Sequence, residues 1–421
     1  MSATLRAAAL LVTTGLLAAC TSGGSGASPS AAATAVTSAP ATALPAPSGA
    51  AAVPAAAASP APAPAATAAS ASAQVSTADL TPNDLLLAAL SPSDVKAVVP
   101  ATETWWPYFP EFDVGFSPYT DNSADPSVRF FVVQAYERVG GPARRQVVST
   151  MVLFNDAASA AQGMARLNQT NDGDSTPASG PAVGDASSYF TRSNIGLGTP
   201  TDTPIDYPDT AVLRFRVGPV VGRVSVLGTG FEKTATLAAY AAPLVDRIGA
   251  LLQGSLKAQP LPTEYGQRMP PPSSAVGAIL GAVVAPAESW ALADNSGTPE
   301  AVADKLHSLG AASLGFGRAS LAADPNQVIE ATLFPFRDAT AASSWVKTFT
   351  SGVGKTGLDA GATGTQSAYT SYGGKFYELQ FAAGRFVGDL SCFAPYGTTT
   401  SACEVPVRQL AEAWYAALSG S

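Results

Sequence analysis

Histidine is almost absent from this chain: one in 421 residues, with only three cysteines beside it. That scarcity makes His-based metal cages and catalytic triads hard to build, because both draw on imidazole nitrogens to bind an ion or to move a proton. Basic residues are outnumbered, 23 Lys and Arg against 31 Asp and Glu, for a net charge of −8. The balance argues against nucleic acid as a partner, since a phosphate-reading surface needs clustered cations. Although 47% of the residues are hydrophobic, no run reaches the ~18 consecutive apolar residues of a spanning helix. No charged side chain lies between Arg6 and Asp79, and no aromatic precedes Trp105.

What the N-terminus does contain is an address. Arg6 is followed by an apolar stretch from Ala7 to Ala19, too short to span a bilayer but shaped like a secretory signal. It ends in Leu17-Ala18-Ala19-Cys20, which resembles the bacterial lipoprotein lipobox. The resemblance implies cleavage after residue 19 and lipidation of Cys20, and several acyl chains give the stable anchoring that one cannot. The expected location is therefore extracytoplasmic, held to the cell membrane by lipid at Cys20. Residues 21–78 are Ala, Pro, Ser, Thr and Gly almost throughout, a composition that cannot bury enough apolar surface to offset ordering, so a disordered tether is expected. As a flexible coil its ~57 residues would span roughly 40 Å, and as a stiff polyproline rod about 180 Å.

Past residue 80 the chain repeats itself, which bears on the fold before any motif does. Val98–Trp105 matches Val283–Trp290 at an offset of 185, Gln146-Val147-Val148 matches Gln327-Val328-Ile329 at 181, and Phe154–Ala157 matches Phe336–Ala339 at 182. Phe215–Ser225 then matches Phe381–Ser391 at 166, the drop reflecting an extra loop near Ser193–Asp209. Each copy reads as a strand pair (Arg129–Val139 with Gln146–Phe154; Ala311–Leu321 with Gln327–Phe334), a helix capped by Asp156 or Asp338, further strands around Tyr189 or Tyr369, and a hairpin turning at Gly218-Pro219 or Ala383-Gly384. A closing helix carries Leu237, Tyr240, Leu244, Ile248 and Leu251, or Val407, Leu410, Trp414 and Leu418, at helical spacing. Pro243 is expected to kink the first of these. The fold class expected is α+β, two tandem duplicated domains, each an antiparallel sheet with two helices packed on one face. The organisation is signal 1–20, tether 21–78, first repeat 79–254, linker 255–272 and second repeat 273–421.

The strand pair, the helix opening with Asp-Ala, the Gly-x-Val-Val-x-x-Val-Ser strand at Gly218–Ser225 with its looser copy at Gly384–Ser391, and the final helix together resemble the extracellular sensor domains of actinobacterial PknH-type receptor kinases and the lipoproteins that share them. That resemblance implies ligand binding in a cleft, without catalysis. Sensor domains of this type usually carry two disulfides, whereas the first repeat here has no cysteine.

With Cys20 assigned to lipid, Cys392 and Cys403 remain, an even pair in an oxidising compartment and hence an expected disulfide. His307 sits near the end of a helix opened by Thr298-Pro299 and closed by Gly310, where its charge suits the helix dipole. Gly354-Lys355-Thr356 lacks the earlier glycine of a phosphate loop, because Phe349 stands there. Ser93-Asp94-Val95-Lys96 lacks the companion motifs of penicillin-recognising enzymes. No cofactor and no metal is expected. Aromatics are instead concentrated: Trp105, Trp106, Tyr108, Phe109, Phe112, Phe116 and Tyr119 crowd one proline-threaded segment, either as a loop covering the core or as a groove for a ligand. Glu103 and Glu288 stand at matched places beside Trp105 and Trp290, as structural pairs or as flanks of a cleft between the copies. The function expected is a non-enzymatic, surface-anchored lipoprotein binding an envelope ligand or protein partner through Glu103, Trp105, Trp106, Tyr108, Glu288 and Trp290. The alternatives are a scaffold lipoprotein without a small ligand and, third, a cell-envelope hydrolase using the two carboxylates.

Overall fold

Thr81-Pro82-Asn83-Asp84 and Ser91-Pro92-Ser93-Asp94 each place a hydroxyl at a helix cap, proline in the first turn and a carboxylate at the third helical position, so two short helices start there: α1 (Pro82–Ala88) and α2 (Pro92–Val98). The computed structural model describes residues 75–420 apart from 115–124, 142–144, 170–175, 193–194, 198–204, 208–209, 229–232, 295–296, 324–326, 352–366, 373–375 and 394–402. The signal with Cys20, the tether up to residue 74, Phe116 and Tyr119 lie outside the described residues.

Both cap carboxylates do a second job. Asp84 also accepts the Ala258 N–H at 2.8 Å. Asp94 accepts Arg247 Nη2 at 2.7 Å, and the same nitrogen donates to the Ala89 carbonyl at 2.7 Å. Asp84 thus fastens α1 to the chain that follows the first repeat, and Asp94 fastens α2 to the closing helix within it. Burial alone would raise the Asp94 pKa, but hydrogen bonds from Arg247 and Ser91 outweigh it and hold the carboxyl below its ordinary 3.8.

The first repeat continues with β1 (Thr104–Pro107), β2 (Glu111–Val114), β3 (Val128–Val139), β4 (Gln146–Phe154), α3 (Ala157–Gln169), β5 (Thr176–Ala178), β6 (Ala186–Arg192), β7 (Ile195–Leu197), β8 (Ile205–Tyr207), β9 (Thr210–Val217), β10 (Val220–Leu227) and α4 (Thr234–Leu252). Its sheet runs β1-β3-β4-β10-β9-β6-β5, with β2 pairing β3 beyond β1. Strands β7 and β8 pair only with each other, inside the insertion that shifts the repeat offset. A single helical turn, α5 (Thr263–Gly266), leads to the second repeat: β11 (Val276–Pro286), α6 (Ala287–Ala293), α7 (Pro299–Ser308), β12 (Ser313–Leu321), β13 (Val328–Pro335), α8 (Ala339–Ser351), β14 (Ser367–Tyr372), β15 (Phe376–Ala383), β16 (Phe386–Phe393) and α9 (Glu404–Ser419). Its sheet order is β11-β12-β13-β16-β15-β14.

The two orders superimpose position for position: β3 on β12, β4 on β13, β10 on β16, β9 on β15 and β6 on β14. Small details repeat as well. Asp156 Oδ1 caps α3 by accepting the Ser159 N–H, and Asp338 Oδ1 caps α8 by accepting that of Ala341. Gly222 lies under the cross-strand Phe215 ring and Gly388 under that of Phe381, so close that a Cβ would stand 2.2 and 2.4 Å from the rings. Gly218 and Gly384 turn their hairpins at φ 55° and 57°, which only glycine adopts without strain.

The α+β class with antiparallel sheets stands, but the helices do not share a face. Residues of α4 pack with Val132, Val147, Met151, Leu213 and Val224, whereas α3 packs with Phe131, Val152, Phe154 and Val221. Alternate residues of a strand point to opposite sides, so each sheet is covered on both. In the second repeat α9 lies against Ile329, Ala331, Leu333 and Phe381, while α6, α7 and α8 lie against Leu314, Phe334 and Val387. The strands carry apolar side chains on both faces, and the sequence pattern of an even-numbered and an odd-numbered apolar set demanded two covers.

Helix α4 runs unbroken through Pro243. It is long and apolar enough to cross a membrane, yet Leu237, Tyr240, Leu244, Ile248 and Leu251 are all buried in the core. The proline-rich stretch expected as a linker is docked: Tyr265 is 5% exposed and Trp414 Nε1 donates to the Arg268 carbonyl at 2.6 Å. Cys392 at the end of β16 is joined to Cys403 at the start of α9, with Cα atoms 5.8 Å apart.

Two outcomes are expected. Because the folded pKa of Asp94 is depressed, its stabilisation is complete above about pH 4 and is lost as pH falls through the folded pKa; Asp94→Asn should cost about 1–3 kcal/mol at pH 7 and flatten the acid limb of the unfolding curve. Cys392→Ser should cost about 2–3 kcal/mol by loop-closure entropy, read by chemical denaturation.

Candidate functional site

The segment Trp105-Trp106-Pro107-Tyr108-Phe109-Pro110 cannot be helical, and its prolines suit an edge strand, where a missing N–H breaks no ladder. It forms β1, pairing Trp105 with Arg138, Trp106 with Glu137 and Pro107 with Tyr136. Strand alternation then divides the tryptophans. Trp105 packs on the α4 core of the first repeat, and Trp106 on the α6–α8 core of the second.

Beyond β1 the chain stays paired with β3 of its own sheet through β2 while its aromatic rings reach the second repeat. The Phe109 ring stacks on Phe316 at 4.5 Å between centroids and meets Trp290 edge-on at 6.4 Å. Trp290 in turn meets Phe334 edge-on at 4.7 Å. Phe112 on β2 is fully buried, and its ring covers Gly281 of β11. Next to it the Asn83 amide from α1 behaves as a short strand: Nδ2 donates to the Ala282 carbonyl and Oδ1 accepts the Ala282 N–H, each at 3.0 Å. The aromatic segment is therefore the seam between the two copies.

Its polar groups are held in place. Glu103 Oε2 accepts Trp105 Nε1 at 3.0 Å, while Oε1 accepts Arg145 at 2.9 Å and lies 3.4 Å from Arg138. The Tyr108 hydroxyl donates to Glu137, and the Tyr108 carbonyl accepts Gln134 Nε2 at 3.0 Å. Trp105, Trp106, Tyr108 and Phe109 remain half-buried, so the rim of the seam meets solvent while Phe112 and Trp290 are sealed. From α4, the Tyr240 hydroxyl is buried without a hydrogen-bond partner; burial first, and the charge of Glu103 second, push its pKa upward.

The second carboxylate belongs elsewhere. Glu288 Oε1 lies 3.0 Å from His307 Nε2, a pair joining α6 to α7 with the imidazole 41% exposed. Trp290 donates to Asp294 at 3.3 Å. Glu103 and Glu288 share none of these partners. Nor are their neighbourhoods equivalent, because Trp105 lies in a strand and Trp290 in a helix; the 185-residue sequence match does not survive as a structural one. Among the described residues, no three His, Cys, Asp or Glu side chains are grouped to hold a metal ion. The roles of Asn83 and Gly281 carry no local signal in the sequence, because they exist only where two distant segments meet.

Gly281→Val forces a side chain into the Phe112 ring, whose nearest atom would stand 2.6 Å from the new Cβ. The expected cost is about 1–3 kcal/mol, partly recovered by Phe112→Leu in the same chain; additive effects of the two changes in denaturant melts would show that the residues do not touch.

No protein-family model and no curated protein matches the chain. Among solved structures it is similar to the extracellular domain of PknH from Mycobacterium tuberculosis, at 16% identity and a TM-score of 0.28, over 40% of this chain and 97% of that one.

Proposed function

We propose that the protein is a non-catalytic, extracytoplasmic lipoprotein, tethered through Cys20, whose two fused copies present the rim of their seam to an envelope ligand or partner. The observation that carries the binding role is that Trp105 and Trp106 on β1 and Tyr108 just after it are half-buried, with the Trp105 and Tyr108 polar atoms already held by Glu103 and Glu137 and Glu103 in turn held by Arg138 and Arg145. Aromatics that are ordered before a ligand arrives cost little to immobilise, which favours recognition. The disulfide supports an oxidising compartment. A carboxylate neutralised by two guanidinium groups favours a structural role for Glu103 over that of a hydrolytic acid.

The scaffold reading has its own support, since Phe109, Phe112 and Trp290 are spent on internal packing. Native mass spectrometry of the full chain, purified without denaturant from its own membranes, separates the two. A bound molecule present in the wild type and lost in Trp106→Ala is the expected result. Protein that is empty in both forms favours the scaffold, and full-length protein that stays soluble with an unmodified Cys20 defeats the anchor.

A further inference from the structure

The duplicated sheets allow one copy to be read against the other, and they differ in charge at the turn between their last two strands. Several arginines that reach solvent are answered by carboxylates, as suits a chain of net charge −8: Arg337 Nε lies 3.4 Å from Asp338 and Arg408 Nε 3.1 Å from Glu404. The β9–β10 turn of the first repeat follows that habit. Arg216 Nη1 lies 3.2 Å from Asp185 Oδ2, which also accepts the Gly218 N–H at 2.8 Å.

The β15–β16 turn has the same backbone. Gly384 stands at φ 57° where Gly218 stands at 55°, and the Phe336 N–H donates to the Arg385 carbonyl at 2.9 Å where that of Phe154 donates to Pro219 at 3.0 Å. Pro219-Val220 have become Arg385-Phe386, so the turn itself does not require the arginine. The Arg385 guanidinium carbon lies 4.8 Å from the centre of the Phe386 ring, and that of Arg268, from the docked proline-rich stretch, lies 5.1 Å from the same centre. Arg268 is held in place, since its carbonyl accepts Trp414 Nε1 at 2.6 Å and its Nη1 donates to the Glu264 carbonyl at 3.0 Å. Among the described residues neither guanidinium is paired with a carboxylate. Arg385 is exposed and Arg268 half-buried, with its Nε lacking a partner. The ring attracts both cations, while nothing offsets their mutual repulsion. An anion would. Each planar fork keeps most of its five N–H donors for it, and a tetrahedral phosphate can offer oxygens to two forks at once, whereas a flat carboxylate suits one.

We propose that Arg268 and Arg385, gathered at the Phe386 ring, form a clamp for a phosphate group, either free phosphate or the headgroup of an anionic lipid. The site uses none of the seam residues, and its failure would leave the seam reading intact. The full chain is titrated by calorimetry in about 0.15 M chloride, so that mere counter-ion exchange is screened, with two probes: inorganic phosphate and glycerophosphoglycerol, a water-soluble lipid headgroup. Saturable binding of at least one is expected, and the tighter probe identifies the source. Arg385→Gln should weaken it at least tenfold, the loss of charge-assisted hydrogen bonds, with Tm unchanged because the side chain is exposed and a proline holds the same turn in the other copy. Arg268→Gln should weaken it to a similar degree. Arg385→Lys should fall between, since it keeps the charge and loses the fork. The proposal is overturned if neither probe binds saturably, if Arg385→Gln binds as the wild type does, or if Trp106→Ala abolishes binding, which would place the anion at the seam.

Discussion

The arrangement of the whole folded region depends on one close approach: the ring of Phe112 lying on the bare backbone of Gly281. Strand β2 can come that near to β11 only because the glycine has no side chain, and the nearness brings Phe109 onto Phe316 and Asn83 onto Ala282. Edge strands expose unpaired backbone groups that invite the wrong partner. Here the edge of each sheet is used to join the two copies, one by aromatic contact and the other by a side-chain amide that mimics a strand.

That junction explains why the copies diverged most where they meet. Away from the seam, strand order, helix caps, hairpin glycines and the Phe–Gly cross-strand pairs repeat faithfully. At the seam, β1 and β2 occupy a place that β11 and α6 fill in the other copy. The two copies do not use these residues in the same role, since the tryptophans that look alike in sequence lie in a strand on one side and a helix on the other. The same freedom to diverge reached the buried face, where two arginines in one copy correspond to a glutamine and an aspartate in the other.

Much of this was legible in the chain. The strands β3, β4, β12 and β13, the Asp-capped helices, the hairpin turns, the closing helices and the pairing of the last two cysteines follow from period, capping chemistry and count, all of which act within a few residues. The α1 and α2 caps are equally local, and the second of them lies inside Ser91–Lys96, where the residues also mimic a catalytic motif. The aromatic cluster was visible as composition, while its destination was not. Whether a ring faces solvent, its own core or another domain depends on what arrives opposite, and nothing near Trp105 in the chain announces Gly281.

The sequence by itself determined the duplication, the α+β class and the local elements, because hydrophobic period and cap residues are properties of neighbouring positions. Only the tertiary structure decided that each sheet is covered on both faces, that the proline-rich stretch near Tyr265 is docked, and that Glu103 and Glu288 serve different networks. Those are outcomes of contacts between residues far apart in the chain, and the energies that select them come from shape and burial that no local pattern contains.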